Sequence, residues 1–533
     1  MDFLQPMLDG FQLVIQPSNL MFCLIGVLIG MFIGVLPGLG PVATISILLP
    51  ITYTIDPVPA VIMLAGIFYG AQYGGTITSV LLRLPGETTS VVTVLDGYQM
   101  AKQGRAGSAL GIAAIGSFIG GTAALLGLTF LAPVVSSFAL DFGPPEYAVL
   151  ALLGILLVST LGTGSVVKCL VMACIGLFLA TVGLDPVSGD GRFTGGFSQL
   201  GDGIDFVPLA MGVFGLGEIL YNLEQRAHGS ATMMKFSNAY ISMKDWAESK
   251  WAVLRGTVLG FLIGILPGGG AALSSMLSYA VEKKVAKNPK RFGRGAIEGV
   301  AGPETANNAA ATSSFIPLLT LGIPANATMA VIYGALLIQG IAPGPQLISE
   351  HPDVFWGVIN SMWIGNVFLL ILSVPLIGIF VRLLRVRGTV LAPITVTVTM
   401  IGVFTVNNSL FDMWLVLLFG VIGYLMKKAG YEPGPLVLAF VLGSMLEVAT
   451  RQSLLMFDGN VAGFVGRPIS GVLLAAMVLT VALLPVLKKL RDRRVAIETI
   501  VEDGTNVPAD AFGPSTTSAP SRTGQPAPTE EKK

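Results

Sequence analysis

Apolar runs of membrane-spanning length recur through most of this chain, and that restricts the fold before any other feature is weighed. Roughly 18 consecutive apolar residues are enough to cross a bilayer as a helix, where every backbone polar group must be satisfied within the segment. The candidate segments are 22–36, 58–82, 109–134, 148–161, 166–182, 206–223, 253–266, 315–340, 355–384, 390–404, 413–426, 433–448 and 469–487. Several are short or rich in glycine, so the expectation is roughly 12 crossings in an all-α, polytopic transmembrane protein with broken helices and hairpins.

Charge supports the same fold class. The chain is 53% hydrophobic and 12% charged, against about 25% charged in ordinary soluble domains. Of its 62 charged residues, 15 fall in residues 488–533, so the remainder is poorer in charge than the average suggests. So few charges do not cover a water-exposed surface, which argues against a soluble enzyme. Net charge is zero with no basic excess, which argues against a nucleic-acid partner. Cys23, Cys169 and Cys174 lie in apolar stretches, and His228 and His351 are far apart. No metal-ligand spacing and no nucleophile–base pair follows from them, so neither a cofactor nor catalysis is expected. The polar, Pro- and Ser-rich residues 488–533 are expected to form a disordered cytoplasmic tail.

An internal repeat carries more information than any single segment. Gly26, Gly30, Gly34, Leu36, Pro37, Gly38 and Gly40 return as Gly256, Gly260, Gly264, Leu266, Pro267, Gly268 and Gly270, at a constant offset of 230. A second match runs from Ile175, Gly176, Gly183, Asp185 and Pro186 to Ile422, Gly423, Gly430, Glu432 and Pro433. Two homologous halves are therefore expected: a first transmembrane repeat at 1–224, a polar connection at 225–250 and a second repeat at 251–487. Basic clusters in one half oppose acidic or neutral connections in the other. Lys283, Lys284, Lys287, Lys290, Arg291 and Arg294 stand against Asp56, and Arg83, Lys102 and Arg105 against Glu350 and Asp353. Because cytoplasmic loops are enriched in Lys and Arg, such a swap is what inverted-topology repeats produce. The basic residues of 225–250 have no counterpart and depart from the pattern.

Two groups of residues are candidates for a site. The first is the pair of breaks at Pro37-Gly38-Leu39-Gly40 and Pro267-Gly268-Gly269-Gly270. Proline removes a helix N–H, glycine opens otherwise avoided backbone angles, and the freed backbone groups need partners at membrane depth. Breaks at matching places of two repeats point to a transporter binding site, whereas the G-x3-G rows leading into them suit close helix packing. The second group is polar within apolar sequence: Gly74, Gly75, Thr76, Thr78 and Ser79 in one half, and Asn307, Asn308, Thr312, Ser313, Pro324 and Asn326 in the other. Their hydroxyls and amides donate to a carboxylate without bringing a full charge, and their oxygens also suit a hard cation; hydrogen-bonded helix packing is the alternative. Glu87, Asp96 and Glu304 flank these stretches as candidates for ion coupling, or as helix caps.

At these residues the chain resembles the large membrane subunit of tripartite tricarboxylate transporters, the TctA family. The likeness rests on Gly34-Val35-Leu36-Pro37-Gly38-Leu39-Gly40, Tyr73-Gly74-Gly75-Thr76, Leu95-Asp96-Gly97-Tyr98-Gln99-Met100-Ala101, Pro303-Glu304-Thr305-Ala306-Asn307-Asn308-Ala309-Ala310 and Leu321-Gly322-Ile323-Pro324, in order over about residues 10–490. The resemblance implies a multi-pass protein of the bacterial inner membrane that imports citrate, another tricarboxylate or a related carboxylate by secondary active transport. It also implies symport with a coupling ion, Na+ or H+, a small membrane subunit of about four spans, and a periplasmic solute-binding protein that delivers the substrate. A P-loop, G-x4-G-K-[ST], is absent from the sequence. The rival readings are a carboxylate channel, an intramembrane enzyme and a membrane scaffold without transport. The C-terminus is expected on the cytoplasmic side, after Lys488, Lys489, Arg491, Arg493 and Arg494.

Overall fold

The computed structural model describes residues 4–36, 40–83, 86–161, 165–185, 188–225, 241–373, 375–379 and 388–483. Residues 488–533, Pro37, Gly38 and most of the 225–250 connection lie outside the described residues. The first half runs α1 (Leu4–Val14), α2 (Pro17–Val35), α3 (Pro41–Tyr53), α4 (Pro57–Leu82), α5 (Thr93–Lys102), α6 (Ala106–Ala139), α7 (Pro144–Leu161), α8 (Val166–Ala180) and α9 (Phe206–Glu224). The second runs α10 (Met243–Ile265), α11 (Gly270–Val285), α12 (Glu298–Ser313), α13 (Phe315–Leu321), α14 (Ala327–Ile338), α15 (Pro352–Ser373), α16 (Gly388–Asn407), α17 (Leu410–Lys428), α18 (Gly434–Met456) and α19 (Pro468–Ala482). Among the described residues, seven helices are long and apolar enough to cross a membrane, and six shorter apolar helices accompany them. The molecule is thus a polytopic all-α membrane protein; among the described residues a short antiparallel pair, β1 (Gly183–Leu184) with β2 (Gly191–Arg192), is the one strand pairing.

The glycine rows set the helix pairing. A Cβ on Gly26, Gly30 or Gly34 of α2 would meet the backbone of Met63, Ile67 or Ala71 of α4, so the two helices lie in near-contact and run in the same direction. The second half repeats this, with Gly256, Gly260 and Gly264 of α10 against Gly302, Ala306 and Ala310 of α12. A glycine every fourth residue forms a continuous groove, and backbones come together where no side chain holds them apart.

The two pairs oppose each other. Thr76 of α4 touches Glu304 of α12, while Phe68, two turns earlier, stacks near Phe315 at the start of α13, with ring centroids 6.2 Å apart. Moving back along α4 means moving forward along α12 and α13, so these equivalent helices run in opposite senses. The halves also interleave. Gly116 and Gly120 of α6 lie on Thr305 of α12, and Gly365 of α15 lies on Tyr69 of α4. Gly176 of α8 lies on Leu436 of α18, and Gly212 of α9 lies on Val416 and Phe419 of α17. The helices at the end of each half thus pair across the halves, α8 with α18 and α9 with α17, and one apolar core spans both halves.

Candidate functional site

Where the helices break, the chain forms an open cavity of about 490 Å³. Its wall includes the first residues of four helices: Gly40 and Pro41 opening α3, Gly270 and Ala271 opening α11, Asn326 and Ala327 opening α14, and Pro433 and Gly434 opening α18. A helix start presents unpaired N–H groups and the positive end of the peptide dipoles, which favour a carboxylate. Pro41 fits the first helical position because the N–H it lacks there has no intrahelical use. Charged side chains on the wall are Glu87, Glu218, Lys427 and Glu432, with Lys427 ion-paired to Glu218.

Local sequence dictates this geometry. Gly268 and Gly270 hold φ angles of +80° and +57°, in the region that favours glycine. Gly268 also donates its N–H to the carbonyl of Ala325 at 2.8 Å, which ties the break before α11 to the turn before α14. Asn326 caps α14 by accepting from the Met329 N–H at 3.0 Å. The matching turn of the first half carries Glu87, which also lines the cavity.

The expected site residues divide between the wall and the network behind it. Gly40, Gly268, Gly270, Asn326 and Glu87 line the cavity. Pro267 sits in the turn that leads to Gly268, and Pro324 is buried in the turn before Asn326. Gly74 packs against the carbonyl of Met31, and Gly75 against Glu87 and Ser90. Thr78 and Ser79 both donate to the Gly75 carbonyl at 3.0 Å, and Ser79 also reaches the Ser90 hydroxyl at 2.9 Å.

The Asn307–Asn308 pair lies behind the wall. Asn308 donates to the Asn307 side-chain oxygen at 2.6 Å and to Ser117 at 2.8 Å, and Asn307 donates to Glu304 at 3.3 Å. Glu304 is fully buried and also accepts from Thr76 at 2.6 Å and from Thr93. Thr312 is buried, and Ser313 leans on the Ala310 carbonyl at 3.4 Å beside Gly264. Asp96 joins a different contact: it accepts from the N–H groups of Gly295 and Ala296 at 2.7 and 2.8 Å and from the Tyr279 hydroxyl at 2.8 Å, pinning the basic loop to α5.

Gln72, Thr89, Lys427 and the Glu432–Pro433 corner also belong to the wall. Glu432 and Pro433 were visible as the second repeat match, and Gln72 lies within the polar stretch of α4.

A polytopic helical membrane protein with a cavity at its helix breaks is the class these features define. The model of the tripartite tricarboxylate transporter TctA family matches residues 20–438, and the chain belongs to that family. An uncharacterized 52.8 kDa protein from the TAR-I ttuC' 3' region of Agrobacterium vitis is 49% identical over 495 residues, covering 92% of this chain and 99% of that protein. A second uncharacterized protein, from the TAR-II ttuC' 3' region of the same organism, is 50% identical over 236 residues, covering 44% of this chain and 98% of its own length. No solved structure matches the chain. Membership makes the chain a membrane subunit of a tripartite transporter, a transport component rather than a member of an enzyme family, and implies membrane and binding-protein partners.

Proposed function

We propose that this chain is the ion-gradient-driven, carboxylate-translocating subunit of its transporter, and that the cavity at the helix breaks receives the carboxylate. The observation that carries this reading is the convergence of four helix starts on one cavity whose lysine is already paired with a glutamate. Backbone N–H groups and dipole ends then supply the attraction for an anion, and release is not opposed by an unpaired fixed cation. A periplasmic solute-binding protein delivers the substrate, a small membrane subunit of about four spans completes the complex, and the coupling ion is Na+ or H+. The chain sits in the bacterial inner membrane with its C-terminus in the cytoplasm. As inverted repeats, the two halves exchange access by moving one structural unit against the other.

The test is uptake of labelled citrate and a panel of di- and tricarboxylates by proteoliposomes holding the whole complex, with binding protein outside and sodium and proton gradients imposed separately. Accumulation under one gradient supports the proposal. No accumulation under either gradient refutes it.

A further inference from the structure

We infer that Glu304 is the binding site for a coupling proton, and that Thr76, Gln72 and Glu87 connect it to the carboxylate cavity. This rests on the transport reading above and adds the identity of the ion and its residue.

Glu304 lies in the interior of α12 with no exposed surface. Its contacts are hydroxyl and amide donors from Thr76, Thr93 and Asn307, and among the described residues no Lys or Arg forms an ion pair with it. A carboxylate withdrawn from water without a counter-charge is costly, and taking up a proton removes that cost.

Thr76 gives the proton a defined place. Its hydroxyl lies 2.6 Å from Glu304 Oε2 and 3.3 Å from the backbone carbonyl oxygen of Gln72. With Glu304 ionised, the hydroxyl donates to Oε2. When a proton arrives, an O–H bond forms on Oε2 and donates to the Thr76 oxygen. The Thr76 hydrogen turns to the Gln72 carbonyl, which has a second lone pair. No group is left unsatisfied in either state, and release reverses the step.

Gln72 joins this pair to the cavity through two different parts, its backbone carbonyl facing Thr76 and its side chain facing the wall. Gln72 donates its side-chain amide to Glu87 Oε1 at 3.2 Å and accepts from Thr89 at 2.7 Å, and Gln72, Glu87 and Thr89 all line the cavity. The second oxygen of Glu87 is buried without a partner among the described residues. Thr76 also borders a second cavity of about 20 Å³, with Tyr73 and Ser117, and the Tyr73 hydroxyl, on a side chain only 5% exposed, lacks a described partner. That volume suits one water molecule, which would give the Tyr73 hydroxyl a partner.

Three carboxylates on elements around Glu304 have partners of their own, Glu298 among them, ion-paired with Arg291 at 3.6 Å. Asp96 is held by Tyr279 and two backbone N–H groups, and Glu282 is ion-paired with Arg255. Glu87 and Tyr73, each with a buried oxygen that lacks a described partner, border this network. A substrate carboxylate in the cavity is repelled by negative charge on its wall, so proton uptake favours substrate binding, and by reciprocity substrate favours proton uptake.

The test uses the complete transporter in proteoliposomes with labelled citrate and the same carboxylate panel, read as gradient-driven accumulation and as gradient-free exchange. The wild type is expected to accumulate substrate under an acid-outside gradient with sodium balanced. In Glu304→Gln, accumulation is expected to fall about tenfold or more, and exchange to lose its pH dependence. Thr76→Val should weaken proton-driven accumulation and Thr76→Ser restore it, a contrast that a purely structural role of Glu304 does not produce. Undiminished proton-driven accumulation in Glu304→Gln overturns the proposal, as does wild-type accumulation that follows sodium alone. A wild type that neither accumulates nor exchanges any of the probes overturns the transport reading and this proposal with it.

Discussion

Gln103 and Gln339 stand one residue beyond α5 and α14, at equivalent places of the two halves, and each donates its side-chain amide to a loop of the opposite half. Gln103 Nε2 reaches the Arg294 carbonyl at 2.8 Å, after α11. Gln339 Nε2 reaches the carbonyls of Thr52 and Ile55 at 2.5 and 3.2 Å, at the end of α3. Both bonds close the return of a helical hairpin whose tip meets the cavity. The hairpins are therefore held at their bases by the other half, and their tips at the breaks are left to shape the site.

Removing either amide strands loop carbonyls that the side chain satisfies. Gln339→Leu is expected to lower stability by about 1–3 kcal/mol, since two part-buried acceptors lose their donor. Gln103→Leu, in a more exposed place, is expected to lose about 1 kcal/mol or less. Thermal unfolding of the purified protein in one detergent, compared across wild type, both single variants and the double variant, checks the ranking. Equal shifts for the two single variants would contradict it.

The glycine rows make a sharper claim. A Cβ on Gly30 would meet the backbone of Ile67 and Ala71, and one on Gly260 the backbone of Ala306. Backbone does not move aside as a flexible side chain does, so Gly30→Ala and Gly260→Ala are expected to exceed the usual overpacking cost of about 1–3 kcal/mol. Gly466, with nothing within 4 Å of its Cβ position, is the control. Size-exclusion profiles after membrane extraction should show loss of monodisperse protein for the first two and none for Gly466→Ala. Normal profiles for Gly30→Ala would refute the close α2–α4 approach.

Asn326 allows the cap and the charge of the cavity wall to be separated. Asn, Asp and Ser all cap a helix start, so Asn326→Asp and Asn326→Ser should both fold with the N-terminus of α14 intact, within a few tenths of a kcal/mol of each other. Only Asp adds negative charge to the wall. If the cavity receives a carboxylate, Asn326→Asp should raise the KM for uptake about tenfold over Asn326→Ser. Equal KM values would place the substrate elsewhere.

Much of this fold can be read from the sequence for a simple reason: in a membrane, backbone satisfaction forces helices, and Pro-Gly breaks then stand out against them. The offset of 230 identified α2 with α10 and the break at Gly40 with that at Gly270. The interleaving was not legible, because the repeat says which helices are equivalent and nothing about which ones touch. The site was legible in part for a related reason. Gly268, Gly270 and Asn326 announce backbone turns, and turns form the cavity. Asn307, Asn308 and Thr76 lie in helices buried on every side, where hydropathy has no face to point with. Only the structure shows that these three stand behind the wall.

The contact between Arg105 and Asp245 gives a pH signature at the polar end of α10, outside the apolar part of that helix. Burial alone would push the Asp245 carboxyl up. Hydrogen bonds from the Ser242 side chain and backbone, together with the Arg105 guanidinium at 2.7 Å, outweigh it and hold the group below the usual carboxylate range. A group whose folded value is depressed contributes stability that is fully present above its unfolded value, about 3.9, and is lost as pH falls through its folded value. Asp245→Asn retains the shape of the side chain and loses the charge. The wild type is therefore expected to melt above Asp245→Asn at neutral pH, with the gap closing as the pH drops below about 4. Melting temperatures of the two proteins in the same detergent across that range provide the check. A gap that persists unchanged in acid would mean that Asp245 contributes through shape alone, and that the charge on Arg105 plays no part in holding α6 to the start of α10.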